Sequence, residues 1–402
     1  MKKNSFADIL SGIDRETDRK AAAKFPSLSG IRIPTGLALE QSSSEATALH
    51  KAGLASKLVS NRTGESPSTA VADLTGGLGI DCWAFSRTFG KVLHNEVNPV
   101  LSAAVRENFK SLGVENVEFS GFEIKPESGD WITALESFRP DITYIDPARR
   151  SSTGRKVFLI EDCSPNVLEL LPILLPLSPM ILLKLSPMAD ISLIAKRISD
   201  RCKASTGRSC LKMIQAVGLD GECKELLCVI DREWNGNCSI SAATLRRDGS
   251  TAAEISSPKL SCGEDCCPPA DADSLTEGSI LLCPDAVLLK AGLQDILCKT
   301  GHISKLDRFT HLYLCDSEPV DDSARFCSRY RVIEVLPFSN RSFKDLASRY
   351  SGADVSAKNL PLSSEELKAR IFGKKKASAS SDLHIWGFST PYGRFLTVCR
   401  RI

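Results

Sequence analysis

The sequence has 402 residues, of which 42% are hydrophobic and 25% are charged. A chain of this length and composition can bury a large core and is expected to divide into two or three domains. Its 51 basic and 49 acidic residues give a net charge of +2, which excludes a protein-wide electrostatic attraction to nucleic acid. Any affinity for RNA must therefore come from a local basic surface.

The N-terminal region shows no apolar segment long enough for a signal peptide, and acidic residues follow its two lysines. The most apolar stretch of the chain, residues 167–188, is interrupted by Glu169, Lys184 and several prolines and is barely long enough to span a bilayer. We therefore expect a cytoplasmic protein without a membrane segment.

The 15 cysteines are scattered along the chain. Thiols stay free in a reducing compartment, so we expect most of these cysteines to be small core residues. The densest group, Cys262, Cys266 and Cys267, has no C-x-x-C pair and no nearby histidine, which disfavours a zinc site. We expect no bound metal.

Residues 1–66 are predicted to form an N-terminal helical segment. The serines at 42–44 supply an N-cap ahead of an apolar helix face made of Ala46, Leu49, Ala52, Leu54, Ala55 and Leu58. Residues 61–67, which include Gly64 and Pro67, end this helix. The segment either caps the following domain or contacts its substrate, and we favour the cap.

From residue 70 the pattern changes to strands that alternate with helices. Strands are predicted at 70–74, 91–95, 116–120, 141–145 and 180–185, and helices at 80–89, 99–112 and 167–175. This alternation is typical of a parallel sheet covered on both faces. A hairpin turn at 218–221 joins two further strands, 211–217 and 226–230, so we expect an antiparallel last strand in an α/β domain at 67–235.

The alternation is lost after residue 235, and residues 250–278 have the composition of a connecting stretch. Residues 236–402 are predicted to form a separate α+β domain. Residues 323–402 contain 15 Lys or Arg against 6 Asp or Glu, an asymmetry with the rest of the chain. The lysines at 374–376, with Arg370 and the arginines at 400–401, form either an RNA-binding patch or a solvated loop.

Three glycines, Gly76, Gly77 and Gly79, follow the first predicted strand of the α/β domain. Glycines at a strand-to-helix turn let the backbone approach a ligand, and Asp73 before them can take a cationic or hydroxyl group. The spacing lacks the full G-x-G-x-x-G pattern of a dinucleotide loop. Glu96 lies 20 residues after Gly76. In nucleotide-binding βαβ units, an acidic residue at about this distance from the glycine turn hydrogen-bonds the ribose. The alternative is a structural turn and a solvated glutamate.

A second polar motif, Asp146-Pro147-Ala148-Arg149-Arg150, follows the predicted strand 141–145. Asp146 is expected at the carboxyl edge of the sheet, where open α/β sheets bind ligands. Its carboxylate can accept a proton or a hydrogen bond, and Arg149 or Arg150 can bind a phosphate. The alternative is a polar turn with solvated arginines.

The glycine motif at 73–79, the Glu96-Val97-Asn98-Pro99 motif and the motif at 146–149 together resemble the class I S-adenosylmethionine-dependent methyltransferases. The resemblance is closer to the bacterial methyltransferases with a C-terminal THUMP-like domain, a group associated with RNA. It covers about residues 40–235 for the catalytic fold. In the C-terminal part of the chain, the residues that resemble the THUMP-like domain are 359–362, 366–368 and 395–402.

This resemblance implies a Rossmann-like fold with a seven-stranded, mostly parallel sheet, and S-adenosylmethionine as the cofactor. The cofactor-binding residues that we expect are Asp73, Thr75, Gly76, Gly77, Gly79, Asp81, Glu96, Phe122 and Glu123. The catalytic residues are Asp146, Pro147 and Arg149, and the substrate-binding residues are Arg149, Arg150 and Lys184. Asp146 orients or deprotonates the methyl acceptor, the carbonyl of Pro147 accepts a hydrogen bond from it, and no metal is required.

The motif at 146–149 departs from that of the amino-methylating relatives, because Ala148 replaces a proline and Arg149 an aromatic residue. An arginine plane can still stack on a base. Residues 184–188 contain no cysteine, which disfavours covalent C5 methylation. We therefore predict a methyltransferase acting on RNA. The alternatives are a catalytically silent RNA-binding protein, a methyltransferase of a protein or small molecule, and an NAD-dependent oxidoreductase, which the glycine spacing disfavours.

Overall fold

The computed structural model describes residues 16–64, 68–149, 159–260, 267, 269–271, 273–300, 302–315, 325–373 and 382–402. The chain forms two compact units. The first consists of Met1–Ala252 with Pro258–Leu260, and the second of Ala253–Ser257 with Ser261–Ile402.

The first part of the chain alternates helices and strands. Its helices are α1 (16–24), α2 (Gly36–Gln41), α3 (Glu45–Thr63), α4 (Ile80–Ser86), α5 (Pro99–Ser111), α6 (Asp130–Phe138), α7 (Val167–Leu177) and α8 (Ile191–Thr206). Its strands are β1 (Ala70–Asp73), β2 (Lys91–Asn95), β3 (Val117–Ser120), β4 (Ile142–Ile145), β5 (Ala148–Arg149), β6 (Cys163–Ser164), β7 (Met180–Leu185), β8 (Leu211–Leu219), β9 (Glu222–Asp231), β10 (Ser239–Leu245) and β11 (Thr251–Ser257).

The main sheet has nine strands in the order β11-β10-β8-β9-β7-β4-β1-β2-β3. Strands β3, β2, β1, β4 and β7 are parallel, whereas β9 runs antiparallel to β7 and β8. The predicted α/β class with a mostly parallel sheet is confirmed. The sheet exceeds the expected seven strands because β10 and β11 extend it beyond β8. Strand β10 therefore lies in this sheet although it follows the predicted boundary at residue 235.

The N-terminal helices pack into the first unit. Ser44 caps α3 by accepting a hydrogen bond from the amide of Thr47, as the serine run predicts. Phe25, Leu28 and the alanines of α3 share one hydrophobic core with residues of β1 and α4. The expected helical segment is therefore integral to this core, and its buried face brings side chains of α3 close to α4.

The second unit is an α+β structure, as expected. Its strands are β12 (Ile280–Pro284), β13 (Ile303–Asp307), β14 (Thr310–Cys315), β15 (Cys327–Pro337), β16 (Asp354–Lys358), β17 (Leu383–Thr390) and β18 (Gly393–Arg401). They form a sheet in the order β13-β14-β12-β15-β18-β17-β16. Its helices are α9 (Ala286–Ala291), α10 (Asn340–Arg349) and α11 (Ser364–Phe372). A capping box of Ser363 and Glu366 starts α11, so the local sequence specifies where this helix begins.

The cysteines were expected to be free thiols in the core, and the structure agrees with this for some of them but not for all. Six of the described thiols are buried, as predicted for small core residues: Cys82, Cys202, Cys210, Cys228, Cys315 and Cys399. Cys267, however, forms a disulfide with Cys298, and the sequence could not show this because the two residues meet only in the fold. Cys262 and Cys266 lie outside the described residues.

Two absences hold for the described part of the chain. None of its helices combines the length and the apolar character needed to cross a membrane. Nor do its His, Cys, Asp and Glu side chains form a cluster that could hold a metal ion.

Candidate active site

The glycine turn between β1 and α4 is hydrogen-bonded to the end of β2. The amide of Gly76 donates to the carbonyl oxygen of Asn95 at 2.8 Å. The amide of Gly77 donates to Oε2 of Glu96 at 2.8 Å, and Oε1 of Glu96 accepts from the amide of Asn98 at 2.7 Å. The structure thus brings together the glycines and the acidic residue that the sequence places 20 residues apart.

The three glycines are needed for different reasons. A Cβ atom at Gly76 would lie 2.4 Å from Nε2 of His94, and one at Gly79 would lie 2.6 Å from Cγ1 of Val105. Gly77 has a φ of +52°, which favours glycine, and a Cβ atom there would meet one described atom within 4 Å, the carbonyl oxygen of Thr75 at 3.8 Å. Gly76 and Gly79 therefore make room for the protein's own side chains, while Gly77 supplies the positive φ of the turn without a side chain to shield its backbone.

Gly76→Ala should lower the free energy of unfolding by about 1–3 kcal/mol, because the new methyl group overlaps the buried imidazole of His94. Urea denaturation followed by circular dichroism measures this change. Gly53→Ala is the control, since Gly53 lies in α3 with open space around it. That substitution should be neutral or stabilise the helix by about 0.5–1 kcal/mol. Equal stability of Gly76→Ala and wild type would contradict the assigned role of Gly76.

Thr75 joins the end of β1 to the end of β4. Its amide and hydroxyl contact Oδ1 of Asp73 at 2.9 and 3.3 Å, and its hydroxyl oxygen accepts from the amide of Asp146 at 2.7 Å. Burial, followed by the charges of Asp81 and Asp146, raises the pKa of Asp73 to about 7. Asp73 and Thr75 therefore fix the backbone of the turn, and Asp146 emerges beside it.

Asp81 lies below the turn at the start of α4. Its Oδ2 accepts hydrogen bonds from Ser43 at 2.8 Å and from the hydroxyl of Tyr144 at 3.0 Å. Burial opposes its ionisation, but the ammonium groups of Lys51 and Lys184 outweigh burial and lower the pKa of Asp81. The carboxylate of Asp81 is buried and joins Ser43, in the turn before α3, to Tyr144 of β4.

Lys184 and Asp146 form an ion pair at the carboxyl ends of β7 and β4. Nζ of Lys184 lies 2.6 Å from Oδ2 of Asp146, and the two side chains are 14% and 31% exposed. Burial opposes the charge of Lys184, but Asp146, Glu225 and Asp81 together raise its pKa. The ammonium that we expected to bind substrate is thus paired with the expected catalytic carboxylate.

Asn95 organises the other side of the site. Its side-chain amide donates to the carbonyl oxygens of Leu74 and Phe122 at 3.2 and 3.0 Å, and its Oδ1 accepts from the amide of Phe122 at 2.8 Å. Phe122 is therefore held next to the glycine turn. Glu123 is 59% exposed and pairs with Lys125 at 2.7 Å, so the structure directs its carboxylate to that lysine.

The remaining expected residues lie on the segment after β4. Pro147 is buried, and residues 148–149 pair with β6 as a short ribbon. The side chain of Arg149 and the whole of Arg150 lie outside the described residues, as do the lysines at 374–376.

Sequence reasoning missed Asn95, Ser43, Lys51 and Glu225. Lys51 interrupts the small apolar residues of α3, and Glu225 precedes the apolar run Leu226–Ile230 in β9. A charged residue inside an otherwise buried pattern is the signal that could have identified the last two, because such a charge needs a buried partner.

Comparison with solved structures shows similarity over the whole chain. A candidate methyltransferase from Porphyromonas gingivalis W83 aligns with a TM-score of 0.76 and 26% identity, over 100% of this chain and 93% of the other. A human methyltransferase 10 domain containing protein aligns with a TM-score of 0.38 and 12% identity, over 55% of this chain and 97% of the other.

The SAM-dependent methyltransferase from Agrobacterium tumefaciens aligns with a TM-score of 0.32 and 16% identity, over 46% of this chain and 61% of the other. No protein-family model matches the chain, and no curated protein has a matching sequence. From end to end, the chain is therefore similar to the candidate methyltransferase of P. gingivalis.

Proposed function

We propose that this protein is an S-adenosylmethionine-dependent methyltransferase. The observation that carries the proposal is the hydrogen bond between the amide of Gly77 and the carboxylate of Glu96, beside Asp146 at the carboxyl edge of the parallel strands. That edge is where open α/β sheets bind nucleotide-like ligands. The end-to-end similarity to a candidate methyltransferase supports the same reading.

The residues around the turn fit a nucleoside. Each oxygen of Glu96 already accepts one backbone hydrogen bond, and a carboxylate oxygen can accept a second, so Glu96 can bind the ribose hydroxyls without releasing the turn. At Gly77 a Cβ atom would have a single described atom within 4 Å, so the ligand can approach the backbone there. Phe122, which Asn95 holds beside the turn, supplies an apolar surface for the adenine.

The cofactor supplies an activated methyl group, so the protein has to align the methyl acceptor and exclude water. Asp146 is a partly exposed carboxylate at the site, and it accepts a hydrogen bond or a proton from the acceptor. Lys184 holds this carboxylate on one side at 2.6 Å. The carbonyl of Pro147 is the second acceptor that we assign to the same group.

We further propose that the methyl acceptor is an RNA and that the second unit, as a THUMP-like domain, holds it. Residues 323–402 carry an excess of basic over acidic residues, 15 against 6. Phe309 and Tyr392, at the turns of two hairpins, are 68% and 57% exposed. The hairpins are neighbours, because the hydroxyl of Thr310 donates to the carbonyl oxygen of Ser389 at 2.6 Å. Exposed aromatic rings beside basic groups can stack on unpaired bases.

The double variant Phe309→Ala, Tyr392→Ala should bind single-stranded RNA about 30-fold or more weakly, because base stacking contributes about 1–3 kcal/mol per aromatic ring. Fluorescence anisotropy with a labelled RNA oligonucleotide at fixed salt measures this loss. Leu37→Ala is the control, since Leu37 is an exposed apolar residue of the first unit, and its RNA affinity should match wild type. Wild-type protein that binds no RNA would leave a protein or a small molecule as the acceptor.

A further inference from the structure

A buried network of charged groups connects helix α3 with the candidate active site. The side chain of Lys51 has no exposed surface. Its Nζ lies 3.0 Å from both carboxylate oxygens of Glu225, 3.0 Å from Oγ of Ser43 and 3.1 Å from Oδ1 of Asp81. The three hydrogen bonds to Glu225 and Ser43 use the three N–H donors of the ammonium group, and the contact with Asp81 adds an ion pair. Lys51 is therefore held in place by residues of β9, of α4 and of the turn before α3.

Ser43, in the turn before α3, is the junction of this network. Its hydroxyl donates to Oδ2 of Asp81 at 2.8 Å, and its oxygen accepts from Lys51 at 3.0 Å and from Lys184 at 3.4 Å. One donated and two accepted hydrogen bonds are the full capacity of a hydroxyl group. Because Ser43 is only 6% exposed, water does not compete freely for these bonds.

Lys184 carries the network to the site surface through its ion pair with Asp146 at 2.6 Å. Asp146, at 31%, is more exposed than the side chains of Lys51, Asp81, Glu225 and Lys184. The charged groups that act on Lys184 are Asp146 from the end of β4, Asp81 from α4, Glu225 from β9 and Lys24 from α1. The contacts therefore run from Lys51 through Ser43 and Lys184 to the carboxylate that faces the methyl acceptor.

Stability alone does not account for this arrangement. Buried ion pairs are often replaceable by apolar side chains without loss of stability, and α3 is otherwise packed through small apolar residues. A lysine side chain has several rotatable bonds, so the ammonium of Lys184 could occupy several positions if the ion pair with Asp146 were its single contact. The hydrogen bond that Lys184 donates to Oγ of Ser43 at 3.4 Å reduces the number of these positions, and a misplacement of about 1 Å near the reacting atoms can slow a reaction about 100-fold.

We propose that Ser43, fixed by Lys51, is a positioning residue for methyl transfer. It holds the ammonium of Lys184 and, through it, the orientation of the Asp146 carboxylate. The inference rests on the proposed function, because it assigns Asp146 to the acceptor side of the site. The N-terminal segment then completes the active site instead of only covering it.

Ser43→Ala should lower kcat about 10-fold to 100-fold and leave the KM for RNA and the affinity for S-adenosylhomocysteine within about twofold of wild type. Ser43→Thr, which keeps the hydroxyl, should restore most of the rate. Ser42→Ala is the matched control, since the hydroxyl of Ser42 donates to the carbonyl oxygen of Leu39 and takes no part in the network. The measurement is transfer of tritium from labelled S-adenosylmethionine to total RNA, with calorimetry for the binding constant.

A second readout does not depend on methyl transfer. Acylation of Lys184 by acetic anhydride, followed by mass spectrometry, should be at least about threefold faster in Ser43→Ala than in wild type and unchanged in Ser42→Ala. The anhydride reacts with the amine after it has released its proton, and loss of the hydrogen bond that the ammonium donates to Ser43 favours that deprotonated form. If wild type transfers no methyl group, the proposed function fails and the labelling alone decides whether Ser43 holds Lys184. Unchanged kcat and labelling in Ser43→Ala would overturn the inference. An equal loss of cofactor affinity, rate and thermal stability would also overturn it and assign Ser43 a structural role.

Discussion

Glu96→Ala should weaken the binding of S-adenosylhomocysteine about 100-fold or more. The substitution removes the acceptor for the ribose hydroxyls, and it also frees the amides of Gly77 and Asn98 that the carboxylate holds at 2.8 and 2.7 Å. Hydrogen bonds to a charged group contribute about 1.5–3 kcal/mol each, so the loss of two such bonds to the ligand corresponds to at least two decades in affinity. Calorimetric titration of both proteins measures the effect.

Glu118→Ala is the control for this titration. Glu118 lies on β3 and makes an exposed ion pair with Lys91 at 3.0 Å, which contributes little to stability, so its variant should bind as wild type does. Titration of wild type with NAD separates the methyltransferase from a dinucleotide-dependent oxidoreductase. Undiminished binding in Glu96→Ala would place the nucleoside away from the glycine turn, and wild type that binds NAD in preference to S-adenosylhomocysteine would overturn the assigned cofactor.

Asp146→Asn should lower kcat for methyl transfer to RNA about 100-fold to 10,000-fold, the range that removal of a general base produces. Asparagine keeps the size of the side chain but removes the negative charge that pairs with Lys184 at 2.6 Å. The affinity for S-adenosylhomocysteine should stay within a few fold of wild type, because the amide of Asp146, which donates to Thr75, is retained. Initial rates with labelled S-adenosylmethionine measure the loss.

Asp200→Asn serves as the matched change, because Asp200 is an exposed aspartate of α8 in the same unit. Its rate should equal that of wild type. In Asp146→Asn the ammonium of Lys184 faces a neutral amide, which can lower the free energy of unfolding. Urea denaturation of this variant therefore shows whether the loss of rate arises from unfolding. A folded Asp146→Asn variant with the wild-type rate would remove Asp146 from the mechanism.

The central strands were predicted closely from the sequence. Strands β2 and β7 occupy the predicted residues 91–95 and 180–185, and β1 and β4 end within one residue of the predicted positions. Strands β1, β4 and β7 are short, mostly apolar runs, and a buried parallel strand requires just such a run. The local pattern was therefore sufficient.

Strand β10 was missed for a physical reason. Its sequence, SISAATL, consists mostly of small and hydroxyl side chains, so it lacks the strong apolar or β-branched run of the central strands. It becomes a strand because it pairs in parallel with β8 from Met213 to Leu219. That partner is set by the completed hairpin of β8 and β9, which no local pattern contains.

The sequence by itself determined the α/β class, the glycine turn and the placement of Glu96 and Asp146 at strand ends, because apolar periodicity and turn residues act over a few neighbouring positions. Only the tertiary structure decided which charges meet. Lys51 and Glu225 are separated by 174 residues, and Lys184 and Ser43 by 141. A buried charge requires a partner, but the choice of that partner depends on which side chains the packed helices and strands bring together.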